Sequence, residues 1–221
     1  MARLAACVVG AIIASCSHAD EPAAAQILAN CQSMLPVRPV QLDGAIVLRN
    51  RKGIVRSEYG YRLLLDRSSS PAKIDLTIHE RGGTNILRHV TLRRPGAIPE
   101  GNVMDTDVTW LDLSMDYLWW TNPRYESERE GESVHGQLCS IILVDPPAGV
   151  KGIKAVRLWV DKKNGCLMQA EEIDPEGRAV RRMWGTRVKK FGERWMANVL
   201  ETETIGSGRR TKITVDAITE L

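Results

Sequence analysis

The sequence predicts a mainly β protein with a smaller α component: one antiparallel sheet, preceded by a helix and interrupted by a helical segment. Three observations predict it. From Gln41 onward, apolar and polar residues alternate with period two in run after run. Short turns rich in Gly, Asn, Asp and Pro join the runs, which suits strands paired with their sequence neighbours. Two stretches break the rhythm, one before Gln41 and one between residues 95 and 133.

The first helix is expected over Ala23–Leu35, where Ile27, Leu28, Cys31 and Leu35 share one apolar face. Asp20 and Glu21 precede its positive end, and Pro36 and Pro39 stop it. The strand pattern begins around Ala45–Leu48, turns at Asn50–Gly53 and continues through Ile54–Asp66. Ile74, Leu76 and Ile78 alternate with Asp75, Thr77 and His79, so that strand has one wet face. Arg81–Thr84 reads as its hairpin turn, and Ile86–Arg93 returns. Within 95–133, the spacing of Trp110, Leu111, Leu113, Met115, Leu118 and Trp119 suits short helices, and a segment this long is commonly a lid or binding loop. Strands then resume at Val134–Val144 and Val156–Val160. Asn164-Gly165 predicts a two-residue hairpin into Cys166–Ile173, and Asp174–Gly177 turns the chain again. Arg178–Lys190, Arg194–Thr204 and Thr211–Thr219 complete about nine or ten strands.

The first residues read as an export signal. Met1 and Arg3 give a positive start, Leu4–Ala14 is an apolar run too short to span a bilayer, and small residues follow. Ser17-His18-Ala19 fits ordinary cleavage before Asp20, which makes residues 1–19 a signal peptide and 20–221 the mature domain. Ile13-Ala14-Ser15-Cys16 instead resembles a lipobox, with Cys16 acylated. Ordinary cleavage removes one cation, Arg3, and no acidic residue, leaving a net charge of about +2 in place of +3. That charge is too weak for a nucleic-acid footprint, and Arg181-Arg182 and Lys189-Lys190 lie in alternating segments that read as solvated sheet faces. Cys31, Cys139 and Cys166 remain, an odd number at no metal or redox spacing, so they are either buried free thiols or one disulfide with a thiol left over.

No catalytic constellation is legible. His79, His89 and His135 form no metal-binding spacing. Glu132-Ser133-Val134-His135 lacks the glycines of a nucleophile elbow, and Asp105-Thr106-Asp107 lacks the distal glutamate of a calcium loop. Gly206-Ser207-Gly208 precedes a strand, so it offers no helix-end phosphate cradle. A binding protein without a cofactor is the expectation.

Several segments resemble one family. Met104–Leu113 is similar to the "S/T-D-F-S/T-Y-E-D-L" segment of the outer-membrane lipoprotein-sorting proteins related to LolA. Leu158-Trp159-Val160-Asp161-Lys162 resembles that family's "W-V/I-D" hairpin entry, Glu171–Asp174 with Gly177 its "E-x-x-D-x-x-G" turn, and Arg210–Ile213 its "K-T" strand. The resemblance covers nearly all of the mature chain. It implies a LolA-like half-open barrel, a single curved antiparallel sheet closed by an N-terminal helix and a helical lid, around a cavity for lipid acyl chains. It also implies a periplasmic lipoprotein carrier of a diderm bacterium, with acylated lipoproteins or lipids as cargo and docking proteins at the inner and outer membranes. No ligand-gripping arginine of the family is carried over to a residue of this chain.

Acyl chains need only apolar walls, each buried methylene contributing about 0.8 kcal/mol. The candidate wall and lid residues are Leu76, Ile78, Trp110, Met115, Trp119, Leu158, Met168 and Trp184, with Val156, Trp195 and Val199 beside them. A second possibility, from a different class, is an envelope binding or sensing module anchored through Cys16 that ferries nothing. Mass spectrometry of the native N-terminus checks the processing: a chain starting at Asp20 fits a diffusible carrier, and an acylated Cys16 fits the anchored module.

Overall fold

The computed structural model describes residues 23–70, 72–94, 96–191 and 194–221, and only the backbone of Arg194 and Trp195. The signal segment 1–19 and Cys16 lie outside the described residues. The first helix, α1, covers Ala24–Ser33 and buries Ile27, Leu28 and Cys31, the expected face. Four strands follow: β1 (Val40–Arg49), β2 (Val55–Asp66), β3 (Ala72–Glu80) and β4 (Ile86–Arg94). After them come helix α2 (Trp110–Ser114), a 3-10 turn at Asp116–Trp119, β5 (Thr121–Tyr125), a second 3-10 turn at Ser127–Arg129, and β6 (Ser133–Val134). The remaining strands are β7 (Gln137–Asp145), β8 (Ala155–Asp161), β9 (Leu167–Ile173), β10 (Ala179–Phe191), β11 (Arg194–Thr204) and β12 (Arg210–Glu220).

Together they form a curved, unclosed antiparallel sheet in the order β4-β3-β2-β1-β12-β11-β10-β9-β8-β7-β5, with the short β6 paired to β7. The order follows the chain except that β12 inserts between β1 and β11 and so joins the two halves. One consequence governs the rest. β4 and β5 are consecutive in sequence yet lie at opposite edges, so residues 96–120 must travel from one edge to the other. They do so across the inner face, and this crossing carries α2 and the first 3-10 turn.

Among the described residues, twelve strands replace the nine or ten expected, for two local reasons. β5 contains Pro123, which cannot donate to a ladder and hides an edge strand from pattern reading. Val134–Val144, expected as one run, breaks at His135-Gly136, both at positive φ (50° and 78°), which form a tight turn pairing Val134 with Gln137. The turn at Asn164-Gly165 is also wider than expected. The Asp161 carboxylate accepts the Lys163 and Asn164 amides (3.1 and 3.2 Å), and the Gly165 amide reaches the Asp161 carbonyl at 2.9 Å. Cys31, Cys139 and Cys166 are free thiols, the first two buried and the third half-buried.

The inner face carries two apolar clusters. One joins β1–β4 and β12 (Ile46, Tyr61, Leu63, Leu76, Ile78, Ile213) to Val103, Val108, Trp110 and Leu113 of the crossing segment. The other joins β7–β10 (Ile142, Val144, Val156, Leu158, Met183) to α1 and to Leu111, Tyr117, Leu118 and Trp120. α2 therefore straddles both, with Trp110 and Leu113 on one side and Leu111 on the other. A third, smaller cluster of Val134, Cys139, Ile141 and Trp159 sits on the opposite face.

The β1–β12 ladder is irregular at one point. The register shifts between Asp43 and Gly44, and a Cβ built on Gly44 would lie 1.8 Å from the Thr214 carbonyl oxygen and 2.9 Å from the Tyr61 ring. The Tyr61 hydroxyl donates to that same carbonyl at 3.1 Å. Gly44→Ala must push β12 and Tyr61 apart, and a loss of about 2 kcal/mol or more is expected in urea unfolding of the purified protein.

Candidate functional site

The crossing segment is held to the sheet at a few defined points, and its own sequence builds it. Thr109 opens α2 with a capping box. The Thr109 hydroxyl accepts the Asp112 amide at 3.1 Å, and the Asp112 carboxylate accepts the Thr109 amide at 2.8 Å. Met115, at φ 50°, ends the helix and starts the 3-10 turn, whose Tyr117 and Leu118 are buried.

Two polar fastenings tie this lid down. At its end, Arg94 of the edge strand β4 donates to Asp116 (Nε–Oδ1 2.7 Å) and to the Ser114 carbonyl (2.8 Å). Its guanidinium also lies 3.6 Å from the centre of the Trp119 ring. Arg67 approaches the same ring at 4.9 Å and donates to the Gln32 and Pro36 carbonyls beside α1 (3.3 and 3.5 Å). Trp119 is thus the meeting point of sheet edge, lid and N-terminal helix. At the other end, Asp107 is 1% exposed, its amide is bonded to the Thr211 hydroxyl (2.9 Å), and its carboxylate is paired with Arg209 (3.1 Å).

Between these fastenings a polar seam runs under α2. Arg181 of β10 pairs with Asp112 and, at 3.3 Å, with Glu172 of β9, and also donates to the fully buried Thr202 hydroxyl at 3.3 Å. Burial and the nearby Asp112 carboxylate push the Glu172 carboxyl up to about 7, against the partial relief given by Arg181. Asp112, Glu172 and Arg181, with Tyr117, Val156, Ala170, Arg182 and Met183, line a recess of only about 10 Å3. A larger cavity of about 500 Å3 lies away from the lid helix, at the β1–β2 turn. It is open and polar, lined by Leu48, Asn50, Val55, Arg56, Ser57, Asp105 and Arg209.

Most of the candidate residues fall into three places. Leu76, Ile78 and Trp110 share the first inner cluster, while Leu158 and Val156 belong to the second, with Met115 and Trp119 packed against it. Met168 packs instead against the outer cluster with Trp159. Trp184 is offset by one residue from the inner-facing Met183 and meets Arg210 at 5.0 Å, so it too faces outward. Val199 is buried outside both inner clusters. Arg181-Arg182 is not the solvated pair expected. Arg181 shares the inner side of β10 with Met183 and is 11% exposed, whereas Arg182 turns outward to Glu171 at 2.7 Å. Arg94, Arg181, Asp112 and Glu172 escaped sequence reasoning. The usable signal was the in-phase position of Arg181 with Met183 and of Glu172 with Ala170, charged residues on an otherwise apolar strand face.

Among the described residues no group of three or more His, Cys, Asp or Glu could hold a metal ion. No described helix is long and apolar enough to cross a membrane.

A curved, unclosed antiparallel sheet with a helical crossing over its inner face is the LolA-like fold. Solved structures of that architecture resemble the chain across most of its length. A LolA superfamily protein from Nitrosomonas europaea matches with a TM-score of 0.65 and 14% identity, over 91% of this chain and 94% of that one. A Vibrio parahaemolyticus domain named for outer membrane lipoprotein sorting matches with a TM-score of 0.66 and 14% identity, over 89% and 93%. A DUF1329 family protein from Desulfovibrio piger gives 0.66 and 13%, over 89% and 91%. No curated protein matches the sequence closely enough to count as a relative. A family model described as "Uncharacterized protein" matches residues 89–220, from β4 through the lid to β12, and the chain belongs to that family.

Removing the Arg94 fastening tests the lid. In Arg94→Met, amides of residues 115–119 should exchange with deuterium about tenfold faster than in the wild type. Global stability should fall by about 1–3 kcal/mol, the worth of charge-assisted bonds to a half-buried partner.

Proposed function

We propose that the protein is a non-enzymatic carrier in the cell envelope, taking lipid acyl chains between the inner face of its sheet and the crossing segment. The observation that carries this is the division of labour between sheet and lid. The inner face is a broad apolar surface from Leu76 and Ile78 on one side to Val156 and Leu158 on the other. A single crossing segment and one helix cover it, held by apolar packing and a few polar contacts rather than by strand pairing to the sheet. Such a cover can lift without unmaking the sheet. The recess under α2 holds only about 10 Å3, so loading requires the lid to rise and Trp110, Leu111 and Leu113 to give up their places to the guest.

Support also comes from the sorting function in the name of the Vibrio parahaemolyticus neighbour, and from the export signal read in residues 1–19. On this reading cleavage before Asp20 releases a diffusible protein into the periplasm, and acylated lipoproteins or free lipids are its cargo. The apolar clusters supply affinity without a positioned reactive group, which suits a protein that binds and releases.

A fluorescent fatty-acid probe tests the proposal. The mature protein should bind it saturably, with tryptophan emission changing as Trp110 and Trp119 move. Affinity should rise about tenfold for each two methylenes added to the chain. A folded, monomeric protein that binds no acyl probe, or whose affinity ignores chain length, overturns the carrier.

A further inference from the structure

The seam under the lid sets one cation between two carboxylates. Arg181 reaches Asp112 on α2 and Glu172 on β9, and all three side chains are largely buried. Asp112 is held independently, because it also accepts the Thr109 amide at 2.8 Å as part of the cap. Glu172 has Arg181 as its partner in the seam. The remaining titratable neighbours do not neutralise it. Arg182 of β10 is committed to Glu171 on the outer side at 2.7 Å. Tyr117 of the 3-10 turn, with Cys31 of α1 near it, presents a buried hydroxyl to the same recess. That hydroxyl has no hydrogen-bond partner among the described residues.

The closed lid therefore carries two unfavourable terms in one place: an excess negative charge out of water and an unsatisfied buried hydroxyl. Both are relieved when α2 and the 3-10 turn lift and water enters. We propose that Glu172 is a proton-operated latch: protonated, it leaves Arg181 to Asp112 and the lid stays down, and ionised, it competes for Arg181 and loosens α2 from the sheet.

The direction with pH follows from linkage. Burial and Asp112 raise the Glu172 carboxyl from 4.5 to about 7 while the lid is closed, and solvation returns it toward 4.5 once the lid opens. The closed form thus holds the proton more tightly. Closure is strongest below about pH 4.5, weakens as the pH rises from 4.5 to 7, and is weakest above 7. The latch rests on the lid being movable, as proposed above, but needs no acyl ligand.

Hydrogen exchange of amides 110–119 in the mature protein, corrected for intrinsic chemical exchange, tests it without any cargo. From pH 5.5 to 8.5 the wild-type opening equilibrium should rise by about tenfold or more. Glu172→Gln should stay at the acid level of protection throughout. Asp112→Asn should exchange quickly at every pH, with amides of β1 and β12 unchanged as the control for folding. Wild-type protection that ignores pH, or a Glu172→Gln slope equal to the wild-type slope, overturns the latch. If either variant fails to fold, carbon-detected NMR titration of Glu172 in the wild type decides: a midpoint near 7 supports the latch and one near 4.5 ends it. Should the acyl probe fail to bind while the exchange slope appears, the carrier reading falls and the latch stands.

Discussion

An open sheet whose consecutive strands β4 and β5 sit at opposite edges obliges the chain to cross it. The crossing cannot join the ladder, because every inner strand already has two neighbours. It must satisfy its own backbone while turning apolar side chains downward. Short helical turns meet both demands, and the capping box at Thr109 with the left-handed Met115 fits two of them into ten residues. The lid is thus first of all a product of topology.

Once the crossing lies over the inner face, its attachment differs in kind from the sheet beneath. Strands are joined by ladders of hydrogen bonds distributed along their length, whereas the crossing is joined by apolar packing and by polar side-chain contacts at Arg94, Asp105, Asp107 and Arg181. Each contact is strong locally, since charge-assisted bonds in a poorly solvated setting exceed neutral ones. Yet few of them exist, and removing one leaves its partner exposed to the full cost of burial without compensation. Cohesion of the sheet thus rests on its ladders, whereas adhesion of its cover combines apolar packing with a charged component that can be adjusted separately.

The strand pattern was readable because most strands bury one face only, so Ile74-Leu76-Ile78 and their like announce themselves. α1 and the short helices were readable for the corresponding reason, an apolar stripe of helical period. Less visible were elements whose meaning depends on partners far away. β5 reads as a proline-bearing loop until β7 lies beside it. Arg181 and Glu172 read as ordinary charged residues of a wet strand until Asp112, distant in sequence, is laid over them. Parity along β9 and β10 would have placed both on the apolar side, but only the fold supplies the countercharge that makes such a placement tolerable. Met168 failed in the opposite way: the register shift between Trp159 and Val160 in the β8–β9 pairing turns its side chain to the outer face.

The two margins of the sheet are defended by different means. Along β5 the backbone lacks a donor at Pro123, and the strand is short. The nine residues of β4 have no such interruption, and Ile86 and Leu87 are exposed there. Protection on this side falls to arginine: Arg88 and Arg93 are exposed, and two copies brought β4 to β4 would concentrate their positive charge along one seam. Fibrous stacking of this protein is thus opposed at one margin by covalent geometry and at the other by electrostatic repulsion, and only the second defence weakens as salt accumulates.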